Sequence, residues 1–391
     1  MSTRISVNRS VLEWAVRQSG KTIQEVQIKF PKFDEWLKKE VSPTFNQLVT
    51  FSSFTKIPFG YLVLQDVPEE TLPLLEFRTV DTEEIQNPSR ELIDTIKDME
   101  KKQNWMREYM LDENYSSNNL IGALEFSDRL NFTDVADFIR ESYGIPIAWH
   151  NNVNSKINSF DYLKDKISNK GVLVMQNGTA LGNTHRPLDP SEFRAFALID
   201  NYAPLIFINT KDTLSGKVFS ILHELVHLTI GENSLYNKQF YNGNKFKNNL
   251  EIFCNSVAAE LVVPESTFNQ EWERFKENDV LLKIEHLATF YKISTVVIAR
   301  KALEKKFISR EIYTKVSDEA KKNALNNSNK PSKPGGNPVY TAQSRLDKKF
   351  IYALSNGLDK GFAVHTDIYK LTGLSRNVFN KVEQNIIRGG V

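Results

Sequence analysis

Residues 221–230 read ILHELVHLTI. Most of these ten residues are apolar, as in a buried helix, yet two histidines and a glutamate interrupt the run. The whole chain holds only six histidines, so a pair four residues apart is a concentrated use of a scarce side chain. On an α-helix, residues i and i+4 lie about 40° apart around the axis and roughly 6 Å apart along it. His223 and His227 can therefore point the same way and share one metal ion. Zinc takes imidazole nitrogens at about 2.0–2.1 Å, and a catalytic site has three protein ligands with one position kept for water. Glu224, one residue on, is turned too far around the helix to join that set easily. It is placed to take a proton from the water, which is the mechanical content of H-E-x-x-H. About 0.01 such patterns are expected by chance in a chain with this histidine and acid content.

A third ligand is needed. The residues after His227, LTIGENSLYN, supply no histidine, and His150, His185, His286 and His365 stand in unrelated stretches. The alternative is a carboxylate on the next helix. Residues 248–264, NNLEIFCNSVAAELVVP, offer Glu251 and Glu260. Nine residues apart, the two lie on opposite faces at 100° per residue. Leu250, Cys254, Val257, Ala258 and Leu261 mark the buried face of this helix. Glu251 adjoins that face and is the better ligand; Glu260 points away from it and is the alternative. Cys254 reads as a small buried hydrophobe. Asn255, one turn beyond Glu251, reads either as an outer hydrogen-bonding partner of the site or as a packing amide.

A chain of 391 residues suggests two or three domains. No stretch reaches the roughly 20 apolar residues that span a bilayer, so no membrane role is expected. The opening MSTRISVNRSVLEW has no apolar signal core, and a cytoplasmic protein is the expectation. Cys254 is the only cysteine, which excludes an intramolecular disulfide and a cysteine-based zinc finger. From Lys301 onward there are 17 Lys and Arg against 8 Asp and Glu, a basic tail on an acidic body. Such a tail suits nucleic acid or an acidic partner, and equally a solvated helical surface.

Residues 1–65 read as short helices in the outline of a helix-turn-helix module. Gly20 stops the first helix, Thr22 caps the second, and KFDEWLKKE (32–40) stands where the reading helix would be. Lys29, Lys32, Lys38 and Lys39 could meet phosphates, but Asp34, Glu35 and Glu40 oppose them. Residues 66–145 read as a Pro- and acid-rich connector followed by helical sequence, with one long helix from about 89 to 112. After Pro146 the texture changes. GVLVMQN, FRAFALID and PLIFINT are short apolar runs between turn residues, which predicts strands. Helices are expected at 215–230 and 248–262. Residues 146–322 thus form a domain of a small sheet plus helices, 323–338 a flexible linker broken by Pro and Gly, and 339–391 a small basic helical domain. In the last of these, TGLS looks like a turn between two helices, with Arg376 and Lys381 on the second.

HELVHL followed by EIFCNSVAAELVVP resembles the ImmA/IrrE family of metallopeptidases, whose pattern is HExxH and then E-x-x-A-N-x-F-A-A-x-L-L-M-P. Position by position, the resemblance implies His223, His227 and Glu251 as ligands of one zinc ion per chain and Glu224 as catalytic base. Cys254 stands where the family has alanine and Val257 where it has phenylalanine. The stretch GNTHRPLDPSEFRAFALIDNYAPLIFINTKD is similar to long members of the family, and the N-terminal residues resemble their fused Xre-like helix-turn-helix domain. The implied fold is α+β and mainly helical, a zincin-like peptidase domain of gluzincin type with a small sheet, flanked by the N-terminal helix-turn-helix-like domain and the C-terminal helical domain. The implied activity is a zinc endopeptidase that cuts a specific regulatory protein, as in repressor or toxin–antitoxin control. His185, Arg194, Tyr236 and Tyr241 are candidates to stabilise an oxyanion. The N- or C-terminal helical domain could contact DNA. The rival reading is a DNA-binding transcriptional regulator or antitoxin-like protein whose zinc site is structural or vestigial. No motif speaks to oligomeric state.

Overall fold

The structure, a computed structural model, describes residues 3–68, 88–127, 129–231, 244–276, 279–328 and 337–388. Within these it is mainly helical with one three-stranded sheet, an α+β arrangement. No described helix is long and apolar enough to cross a membrane. The chain divides into two compact units, one drawn from residues 1–74, 85–97 and 179–187, the other from the remainder.

The first unit contains α1 (Arg9–Gln18), α2 (Ile23–Lys29), α3 (Phe33–Leu37), α4 (Phe45–Thr55) and α5 (Phe59–Leu62). Thr22 and Glu25 form a capping box that starts α2, and Thr44 and Gln47 form another that starts α4. Each box satisfies two amides that helical bonding leaves open. The core is aromatic. Phe33 stacks on Phe51 at 5.7 Å, and Trp36 meets the same ring edge-on at 6.2 Å. Of KFDEWLKKE only Phe33–Leu37 is helical, and both its aromatic residues face inward. The first turns of α6 (Arg90–Asp112) also belong here. Arg186 reaches Glu91 at 3.2 Å and Asp94 at 2.7 Å, and Lys56 also pairs with Glu91.

The second unit contains the rest of α6, then α7 (Phe132–Tyr143) and α8 (Lys156–Asn169), and the sheet of β1 (Leu173–Asn177), β2 (Ala195–Leu198) and β3 (Leu205–Asn209). These strands fall inside the three apolar runs named above. The sheet order is β1-β3-β2, with β1 parallel and β2 antiparallel to β3. All five β3 residues are buried, as a central strand requires. Next come α9 (Leu214–Ile230), α10 (Asn244–Val262), α11 (Glu265–Arg274), α12 (Val280–Phe290), α13 (Thr295–Glu304) and α14 (Arg310–Ser328). Helix α14 runs past residue 322, where composition places the start of the linker, and residues 329–336 lie outside the described chain.

The last helices are α15 (Pro338–Arg345), α16 (Lys348–Asp359), α17 (His365–Thr372) and α18 (Arg376–Arg388). They share the compact unit of the sheet. Their seam is polar at its centre. The fully buried carboxylate of Asp347 accepts the Val174 amide of β1 and the Ser168 hydroxyl of α8, each at 3.1 Å. The Ser344 carbonyl accepts from the Gln176 side-chain amide at 2.8 Å. β1 has β3 on one side only, so Asp347 satisfies an amide that a sheet edge would leave open. Around this seam Phe350 and Phe362 meet Trp105 of α6, each at 5.7 Å.

Candidate metal centre

Helix α9 is buried without interruption from Ser220 to Gly231, because α8, α10, β2 and β3 all pack on it. Its ends are fixed by named bonds. At the start, the Thr213 hydroxyl accepts the Gly216 amide at 3.0 Å. At the finish, the Leu228 and Thr229 carbonyls, which the helix itself cannot satisfy, accept the amides of Gly122 and Leu124 at 3.0 and 3.1 Å. Gly231 then turns the chain with φ +58° and ψ −147°, a region open essentially to glycine alone.

Helix α10 is held in the same manner. Its Glu260 carbonyl accepts from Arg140 of α7 at 2.7 Å, and its Leu261 carbonyl from the Trp149 indole at 3.1 Å. Leu250, Cys254, Val257, Ala258 and Leu261 form its buried face, as their spacing predicts. Glu251 stands at the margin of that face and is largely buried.

The two anchored helices bring three side chains together. One Glu251 oxygen lies 3.3 Å from His223 Nε2, the other 3.2 Å from His227 Nε2, and the two imidazole nitrogens are 3.0 Å apart. Among the described residues this trio is the group of histidine and acid side chains that could hold a metal ion. Ligand atoms about 2.0–2.1 Å from a tetrahedral ion sit about 3.3 Å from one another, so the observed spacings fit zinc. The donor set, two imidazoles and one carboxylate, is also one that zinc accepts.

The electrostatics of the trio agree with that chemistry. Burial alone would raise the Glu251 carboxyl, but hydrogen bonds from both histidines hold it well below the usual carboxylate range. Burial alone would lower His227, yet Cys254 and Glu251 push it well above the ordinary histidine value. A site that gathers positive charge onto a deprotonated acid is one in which a cation competes with protons.

Glu224 is fully buried in the same turn of α9. Cys254, read from sequence as packing alone, places its sulfur 3.8 Å from Nδ1 of His227, the nitrogen turned away from Glu251. Its position one turn after Glu251 on the same face is the signal that could have found it. Asn255 is half-buried beside it.

Glu260 is elsewhere. It is buried, 2.9 Å from Lys301 and 3.9 Å from Arg140, and it accepts the Glu265 amide at the start of α11. Arg194 lies 3.8 Å from Asp212. His185 is exposed in the first unit, and Tyr236 and Tyr241 lie outside the described residues. His150 packs between Phe290 and Tyr291, His286 against Phe275, and His365 is exposed at the start of α17.

Residues 168–303, from the end of α8 to the end of α13, match the family model of peptidase family M78, described as the IrrE N-terminal-like domain. That segment is similar to an IrrE N-terminal-like domain. The matched segment spans the whole sheet, both anchored helices and every member of the trio. It supports the ImmA/IrrE resemblance over that segment, while the N-terminal helices lie outside the match. A comparison with curated proteins returns no significant match.

Proposed function

We propose that the protein is a single-zinc endopeptidase of the HExxH…E type with a zincin-like catalytic domain, acting in the cytoplasm on one regulatory protein partner, such as a repressor or a toxin–antitoxin component. The observation that carries this reading is the meeting of His223, His227 and Glu251 on two anchored helices, with Glu224 buried in the same turn. The three would hold zinc. When bound, the ion supplies a Lewis acid that acidifies water and polarises a carbonyl. Glu224 accepts the proton of the attacking water and delivers it to the leaving amine.

The test begins with zinc per chain by elemental analysis, in wild type and Glu251→Ala purified without added metal. Near one zinc in the wild type and much less in the variant support the site. Glu224→Gln should then keep its zinc and hold an uncleaved partner in pull-downs where the wild type releases fragments. A folded wild-type chain that takes up no zinc when offered it sinks the reading. Unchanged partner behaviour in Glu224→Gln, with zinc present, favours a regulator with a structural metal.

A further inference from the structure

We propose that α16, α17 and α18 form a double-stranded DNA-binding module, with α18 as the helix that enters the major groove. The order of elements, a short helix, a glycine turn and a longer helix, is that of a helix-turn-helix. Helix α17 has eight residues, residues 373–375 make the turn, and α18 follows with thirteen. Gly373 takes φ +69°, and its amide closes α17 on the Tyr369 carbonyl at 2.8 Å. Ile368 of α17 and Phe379 and Val382 of α18 are buried, as are Phe350 and Leu354 of α16. Helix α18 is held from behind by α15 and α16.

The opposite face is polar and charged. Asn377, Lys381 and Gln384 follow an i, i+4, i+7 spacing and are exposed, with Arg376 exposed at the first position of the helix. These are the residue types that read base edges, Asn and Gln on adenine, Lys and Arg on guanine. Lys370 and Tyr369, exposed on α17, flank them.

Charge selects the occupant. Residues 339–391 hold eight Lys and Arg against four Asp and Glu, and three of those acids are engaged within the fold while Asp359 is exposed. Asp347 is buried at the β1 seam, Asp367 accepts the Val364 amide that starts α17, and Glu383 takes the Ser355 hydroxyl. Lys348 and Lys360 are paired with Asp165 and Glu113. Among the described residues, Lys370, Arg376 and Lys381 have no acidic partner. Unpaired cations around a hydrogen-bonding helix face suit the phosphates that flank a groove. The rival at the other end of the chain is weaker: α3 is a single short turn-and-a-half with Asp34 exposed on it.

The experiment measures anisotropy of a labelled mixed-sequence DNA duplex titrated with the full-length Glu224→Gln protein across a range of salt. Wild-type surface residues should bind with a steep salt dependence. The exposed triple variant Lys370→Ala, Arg376→Ala, Lys381→Ala, with an unchanged Tm, should bind about 10–100-fold more weakly and flatten the log–log salt slope by about 2–3. A quadruple alanine variant at Lys29, Lys32, Lys38 and Lys39 should bind as the wild type does. The proposal falls if no duplex binds, if the triple variant binds normally, or if the loss follows the quadruple variant instead. It also falls if single-stranded RNA binds more tightly than duplex DNA through the same three residues.

Discussion

Lys301 and Glu260 form an ion pair of 2.9 Å that is almost closed to solvent. Glu260 thus serves the join between α10, α11 and α13, while Glu251, on the same helix, faces the histidines. Replacing Glu260 by Gln leaves the Lys301 ammonium without its counter-charge. Breaking such a pair costs about 3–5 kcal/mol, so urea unfolding should shift to much lower concentration. Zinc bound per folded chain should be unchanged.

Glu251→Gln should do the reverse. The side chain keeps its shape, and in the metal-free protein its cost should stay within about 1–3 kcal/mol, the value of hydrogen bonds to a charged group. Metal affinity should drop at least about tenfold, read by competition with a chromogenic chelator. Equal zinc affinity in the variant and the wild type would remove Glu251 from the ligand set.

Gly231→Ala should destabilise the end of α9. A Cβ there would lie 2.3 Å from Gly122 Cα and 2.4 Å from its nitrogen, and both are backbone atoms. The dihedral angles alone cost about 1–3 kcal/mol in any other residue, before the clash is counted. Loss of protection at the Gly122 and Leu124 amides in hydrogen exchange is the readout.

Acid should selectively weaken the first unit. Burial would raise the Glu91 carboxyl, but hydrogen bonds from Lys56 and Arg186 carry it below its ordinary value. In the unfolded chain Glu91 titrates near about 4.3, so its contribution is complete above that pH and is lost as pH falls through the lower folded value. Glu91→Gln should therefore cost about 1–3 kcal/mol at pH 7, and the gap from wild type should close below about pH 4. A gap that stays constant from pH 7 to pH 3 would contradict this.

Periodicity made most of the architecture legible. The three apolar runs became the three strands, and the helix ends near Gly20 and Thr22 followed from caps and breakers. The spacing of His223 and His227, and the face on which Glu251 sits, were readable because both are properties of single helices. What escaped were bonds between elements far apart in sequence. Glu260 points away from the apolar face of α10, which suggests solvent; in the fold, α7 and α13 bring Arg140 and Lys301 to it. The role of Asp347 was hidden likewise. An acid in a basic tail resembles surface, and only the arrival of β1 makes it a buried acceptor.

That last bond also has a place in time. Asp347 is made 173 residues after Val174, whose amide it accepts. At about 5–20 residues per second, translation leaves the edge of β1 waiting roughly 9–35 s for its partner. During that interval the sheet beside α9 is unfinished. Completion of the sheet therefore waits on helices lying beyond the matched segment, and a chain broken off before residue 338 would be released with an open strand prone to aggregation.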